Sequence, residues 1–237
     1  MAILQPAMGR RVSRNRGKVS PRQLLPVPHL ATPAPTKSSQ HWNVREILDQ
    51  RDTSECVAHA FRGFQRAAPV VNLVPIDPAS LTEFYHDIQR NDPWEGESPE
   101  YEGTSVEAGA YVLQRDGYIE SCKWAFTVDP VIHHLLYVGP VIFGTNWYSG
   151  FFQPDEQDYI YIADGDWIEG GHAFLGSGIN MNLVHKRTGE RGAIRIANSW
   201  GRKWGQNGRC WMSLRTLARL ILEQGEACVP KEIKKAA

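Results

Sequence analysis

Cys56 is the residue around which the remaining reactive groups of this sequence make chemical sense. Gln50 lies six positions before it, and two blocks, Gly170-Gly171-His172-Ala173-Phe174 and Asn198-Ser199-Trp200-Gly201, lie far downstream. A thiol nucleophile needs a base, the base needs an orienting partner, and a developing oxyanion needs donors. His172 is the candidate base, and the glycines before it, Gly171 included, let the backbone approach another element closely. The Asn198 side-chain oxygen can hold one ring N–H of the histidine and leave the other nitrogen for the thiol. Trp200 would shield that hydrogen bond from water. The Gln50 amide and the Cys56 backbone N–H would form an oxyanion hole. Each residue alone has a plain structural reading: a buried thiol, a core histidine, a turn, a helix cap. Together, in this order, they point to a cysteine-nucleophile hydrolase.

The thiol needs help to ionise. A free cysteine titrates near ~8.5, and a helix N-terminus lowers that value. Glu55 opposes this unless its carboxylate turns away or is paired. His59 is a rival base, but it is fixed one turn down the same segment, whereas an attacking pair usually comes from two walls of a cleft. His133 and His134 read as unrelated to the site.

The elements that must position these groups follow from periodicity. Val57, Ala60, Phe61 and Phe64 mark one face of a helix whose first turn holds Cys56, with Asp52 or Thr53 as its cap and Asp52-x-x-Glu55 resembling a capping box. Ser80-x-x-Glu83 opens a second helix, with Leu81, Phe84, Tyr85 and Ile88 inward. Thr104-x-x-Glu107 opens a third, with Val106, Ala110 and Leu113 inward and Gly117 as its stop. The second half changes to strands, at 140–144, 159–162, 172–179 and 193–197, with a turn at Thr188–Gly192. A short helix is expected after Ser213. Helices first and strands later predict an α+β fold with two segregated lobes.

Of 237 residues, 42% are hydrophobic, enough for a substantial core. No apolar run approaches the ~18 residues of a membrane helix, and no signal peptide is recognisable. The net charge is zero, but residues 1–45 carry eight bases and no acid, so the remainder bears about eight excess negative charges. Residues 1–40, rich in proline and arginine, read as a flexible arm with little packing of its own, and 41–237 as the globular domain. Nucleic-acid binding is not expected, since no aromatic residue interleaves with the arginines, although the basic arm leaves such a contact open. Besides Cys56 there are Cys122, Cys210 and Cys228. At most one pair can form among these three, which suits a reducing compartment. No metal-ligand spacing or cofactor motif is present.

Gln50, Cys56, His172 and Asn198-Ser199-Trp200-Gly201, followed by Lys203-Trp204-Gly205-Gln206-Asn207-Gly208, resemble the papain family of cysteine peptidases over about residues 40–230. The resemblance implies a two-lobed fold, a helical left lobe and a β-barrel-like right lobe with the active-site cleft between. It also implies hydrolysis of a protein or peptide substrate through an acyl-enzyme, without a cofactor. Gly103 is similar to the family's glycine that pairs with substrate backbone, and Gly171 and Trp200 would border the substrate. The sequence departs from the pattern where Thr53-Ser54-Glu55-Cys56-Val57 stands for Cys-Gly-Ser-Cys-Trp. His172 also lies only 116 residues beyond Cys56, short of the family's ~130–150. The look is closer to prokaryotic or phage members, which implies a cytoplasmic or virion-associated protein. No stretch before residue 40 is long enough for the family's inhibitory prodomain, so activation by removing one is not expected. Two alternatives stay open: an acyl or glutamyl transferase using the same thioester, and a papain-like binding or structural protein without activity.

Overall fold

A computed structural model describes residues 8–13, 24, 36–69, 71–92 and 102–232. Helix α1 (Cys56–Gln65) runs through the centre and is buried on nearly every side. Its predicted apolar face, Val57, Ala60, Phe61 and Phe64, packs with Phe84 and Ile88 of α2 (Pro78–Arg90) and Val106, Val112 and Leu113 of α3 (Val106–Arg115). Close approach of α3 depends on Gly109, where a Cβ would come within 2.4 Å of the Phe61 ring.

The capping boxes expected from sequence do not form. Glu55 is the N-cap of α1 and makes no side-chain cap bond. Asp77 caps α2, accepting from the Ser80 N–H, with Pro78 in the first turn. Ser105, not Thr104, caps α3 through the Ala108 N–H. Asp77→Ala should therefore destabilise the protein by about 1 kcal/mol in urea titration, while Ser80→Ala should cost less.

Among the described residues the strands form a two-stranded and an eight-stranded sheet. In the small one, β1 (Arg10–Arg11) lies parallel to β3 (Thr104–Ser105). The large one joins β4 (Ile119–Ala125), β10 (Glu226–Glu232), β5 (Val141–Tyr148), β7 (Ile168–Val184), β8 (Arg191–Ala197), β9 (Arg209–Ser213) and β6 (Tyr159–Ile160) in that spatial order, with β2 (Ser39–His41) paired to β7. The lobe expected to be barrel-like is not a closed barrel: among the described residues its terminal strands, β4 and β6, do not pair with each other. Alternation along β5 sends Ile142 into the helical core and Phe143 into a second core beneath α4 (Val128–Tyr137) and α5 (Leu214–Leu222). Two cores, one among the helices and one under the sheet, realise the expected α+β division. Helix α5 starts at Ser213 as the sequence predicts, whereas α4 has no counterpart in the sequence reading and contains His133 and His134.

Cys122 of β4 and Cys228 of β10 form a disulfide, while Cys56 and Cys210 are free and buried. One pair among three is what the count permits. Among the described residues no helix is long and apolar enough to cross a membrane.

Candidate functional site

Cys56 is the first residue of α1, and its sulfur sits among amides. The Ala173 N–H of β7 donates to Sγ at 3.4 Å, and the Val57 and Gly9 N–H groups also point at it. The His172–Ala173 peptide bond thus lies against the thiol, although 116 residues separate positions 56 and 172. His172 Nε2 is 2.8 Å from Asn198 Oδ1. That oxygen also accepts the Ser199 N–H at 2.8 Å, which fixes it as the acceptor. Nε2 must therefore be the protonated nitrogen, and Nδ1 is left as the proton acceptor of the neutral ring. Among the described residues Nδ1, although buried, makes no hydrogen bond.

Two indoles hold the ring. Trp200 packs on His172 at 4.8 Å between centroids, where the sequence predicted a shield. Trp147 meets its other flank edge-on at 4.6 Å and also touches Trp200. The sequence reading did not include Trp147. The signal is a register one: His172 lies opposite Thr145 of β5, so Trp147, two residues on, is its diagonal neighbour on the same face.

Gln50 is nearly fully buried, and its side chain is oriented by Ser199, whose hydroxyl donates to Oε1 at 2.6 Å. Its amide nitrogen donates to the Thr53 carbonyl at 2.6 Å. Glu55, suspected of opposing ionisation, is paired: Oε1 accepts from Thr82 Oγ1 at 2.9 Å. His59 directs Nδ1 to the Glu55 carbonyl at 2.9 Å, back along its own helix.

Part of the basic arm crosses the thiol. Residues 8–13 form a strap held on both sides, contrary to the expectation of little packing. The Gly9 carbonyl accepts the Thr104 N–H at 2.7 Å, Arg11 Nε donates to the Glu102 carbonyl at 3.0 Å, and Ser13 bonds Glu107. The fit is tight against backbone: a Cβ on Gly9 would lie 1.8 Å from the Ser54 oxygen, and one on Gly171 would lie 2.0 Å from the Arg10 oxygen. Gly103 also abuts the strap, since a Cβ there would meet the Gly9 oxygen at 2.4 Å. Its own N–H goes to Tyr85 Oη at 2.7 Å, so Thr104 supplies the backbone donor on this wall.

Burial sets the protonation. The thiol is pushed up to about 11 by desolvation, against the pull of the Ala173, Gly9 and Val57 amides and the nearby Arg10 charge. Desolvation also drives His172 down to about 4, against the Asn198 hydrogen bond. The helix N-terminus does favour the thiolate, as the sequence suggests, but exclusion of water outweighs it. Under the strap, burial favours the neutral thiol and the neutral imidazole.

No protein-family model matches this chain, and no curated protein matches it. Solved structures do. Xylellain, a cysteine protease from Xylella fastidiosa, aligns over 97% of this chain and 97% of its own, with TM-score 0.70 and 16% identity. Procathepsin B S9 from Trypanosoma congolense aligns over 96% of this chain and 87% of its own, with TM-score 0.65 and 13% identity. The bromelain protease from Ananas comosus aligns over 84% of this chain and 100% of its own, with TM-score 0.57 and 12% identity. The chain has the α+β fold shared by these papain-like cysteine proteases.

Proposed function

We propose that this protein is a cysteine peptidase in which Cys56 is the nucleophile, His172 the base and Asn198 its orienting partner, and that the strap keeps it closed. The observation that carries this reading is the tautomer: Asn198 takes Nε2, which leaves Nδ1 of a ring whose own backbone lies against the sulfur. Two free thiols are buried, but only Cys56 has amides from a helix start and an adjacent strand aimed at it.

When the strap leaves, water relieves the desolvation that holds both groups neutral. The thiol proton passes to Nδ1, and the thiolate attacks the substrate carbonyl carbon. The Cys56 N–H and the Gln50 amide receive the oxyanion, with Ser199 keeping the Gln50 carbonyl turned the other way. The imidazolium protonates the departing amine as the tetrahedral species collapses to a thioester. Water, deprotonated by His172, then attacks the thioester and frees the acid and the thiol. The strap itself presents an N–H to the sulfur at Gly9, not a carbonyl carbon, and so does not offer a bond for attack. Substrates are polypeptides extended enough to replace the strap. The same thioester could pass to an amine; the hydrogen bond from Thr82 holds the Glu55 carboxylate, one of the two departures, with Val57, that leave an inactive site as the second alternative.

The test uses the full chain with Gly9→Val, whose branched side chain cannot seat against the Ser54 carbonyl. Iodoacetamide should modify Cys56 at least about tenfold faster than the buried Cys210, and the variant should hydrolyse an unfolded protein. Repeating the reaction with an added amine separates hydrolysis from transfer by product mass. Equal, slow labelling of the two thiols together with no cleavage would overturn the reading.

A further inference from the structure

The outer face of the large sheet carries a row of cations and rings. Ile194, Ile196, Cys210 and Met212 point into the core under α4 and α5, so alternation turns Arg195 of β8 and Arg209 and Trp211 of β9 outward. Strand register then assembles residues that are far apart in the chain. His41 of β2 lies opposite Gly178 of β7, Gly178 opposite Arg195, and Arg195 opposite Trp211. Gly178 leaves the space that His41 fills: a Cβ there would lie 2.8 Å from His41 Nδ1. The exposed imidazole meets the half-buried Trp211 edge-on at 5.7 Å between centroids, and the Arg195 guanidinium lies 5.6 Å from the indole centroid. Gln206 holds Arg195 Nη2 at 3.0 Å, and Arg209 donates to the Asn207 and Val44 carbonyls, both at 3.1 Å. Among the described residues none of Arg195, Arg202 and Arg209 forms an ion pair. Burial and then the charges of Arg195 and Arg202 hold the Arg209 guanidinium below its usual range, so the three cations are close enough to repel one another. Asp158, whose carbonyl accepts the Trp211 N–H at 2.7 Å, bounds the row on the β6 side.

Cations gathered on one face without counter-charges favour a polyanion, which relieves their repulsion and releases its own counterions. We propose that this face binds single-stranded nucleic acid, with phosphates on Arg195, Arg209 and Arg202 and a base against Trp211 and His41. The rings decide among polyanions. A sulfated glycan or an acidic peptide would use the guanidinium groups alone, whereas an unpaired base also has a face to stack. A duplex keeps its bases stacked on one another. The strand would run from Trp211 toward Arg209 and Arg202, away from Asp158. Sequence order puts no ring among the arginines of the N-terminal arm, but strand register puts two among those of the sheet. The face does not use the thiol, so it stands or falls apart from the peptidase reading.

The probe is a fluorescently labelled oligothymidylate of about fifteen residues, its anisotropy read with the full-length chain across a salt series. Arg195→Gln with Arg202→Gln should flatten the fall of log K against log salt by about 1.4, the share of two phosphate contacts on a single strand. The N-terminal arm is the same in every chain compared, so the difference belongs to the sheet. Trp211→Leu should weaken binding at least about fivefold, whereas Trp211→Phe, which keeps a ring, should retain most of it. Should Trp211→Leu lower the urea midpoint, Arg202→Gln alone, at an exposed turn position, must still flatten the slope by about 0.7. No binding at about 50 mM salt, an unchanged slope in the arginine variants, or equal affinity of intact Leu and Phe variants would overturn the proposal. Dextran sulfate or polyglutamate binding more tightly per charge than the oligonucleotide, with no loss in Trp211→Leu, would assign the face to another polyanion and overturn it too. So would a duplex of the same length that outbinds the single strand.

Discussion

His172→Ala, introduced into the strap-released Gly9→Val chain, should lower kcat toward unfolded protein by about 10⁴-fold or more, on the scale seen when a member of such a unit is removed. The ring takes the thiol proton, returns it to the leaving amine, and later activates water, so its loss touches every step. Asn198→Ala should cost less, since the amide moves no proton. Its effect has a distinct signature: the Asn198 hydrogen bond is what raises the His172 pKa against burial. Without it, protonated imidazole is less favoured, and the acid limb of the pH–rate profile should move to lower pH. Trp147 and Trp200 would keep the ring in place in that variant. A His172→Ala chain that retains tenth-level activity, or an Asn198→Ala chain with an unmoved acid limb, would rule out the assigned roles. His59→Gln serves as the comparison for turnover alone, because His59 faces the Glu55 carbonyl while its charge bears on the titration of His172.

Acidification from pH 7 to 4.5 should remove several kcal/mol of folding stability, before most carboxylates titrate. Desolvation lowers three of the buried histidines, His59, His134 and His172. For His134 and His172 the folded value falls to about 4. His134 is lowered further by the charge of His133, and His172 by that of His59, while the carbonyl and carboxylate of Glu55 partly offset burial at His59. A histidine whose folded pKa lies below its unfolded value of ~6.5 binds fewer protons when folded. Its contribution is complete above pH 6.5 and is lost as pH falls toward 4, because the unfolded chain takes up the protons first. Each such group contributes a slope of about 1.4 kcal/mol per pH unit inside that window. Urea midpoints at pH 7 and 4.5 measure the sum. His134 lines a cavity with Phe64, Pro69, Val138 and Pro140, and Cys56 does not line it. His134→Leu should therefore flatten the slope without altering turnover in the strap-released chain. Identical urea midpoints at the two pH values would mean that these imidazoles are not held neutral by the fold. At the alkaline end Cys56 acts in the opposite sense. Its folded value is raised to about 11, so its contribution is complete below the unfolded value and fades as pH rises through the folded one.

Where a signal is carried by neighbours in the chain, the sequence was sufficient. The spacing of Val57, Ala60, Phe61 and Phe64 defines α1 and puts Cys56 in its first turn. Ser213 starts α5 through the Thr216 N–H, and Gly117 follows α3 with φ +73°. The order Gln50, Cys56, His172, Asn198 was readable because each residue type has a narrow chemical use. Helix α4 was missed because Pro130 and the paired histidines disguise its apolar face, although proline in a first turn breaks no helical bond.

Tertiary structure decided what depends on distant partners. Caps moved to Asp77 and Ser105 because the path of the entering chain, not the motif, determines which oxygen meets which N–H. Trp147 became a flank of His172 only through the β5–β7 register. Above all, an arginine-rich arm reads as solvated by composition, yet Arg10 is buried against an acid 216 positions away. Composition reports the average cost of removing charge from water; only a folded pocket that supplies the opposite charge and excludes water can reverse it at one position.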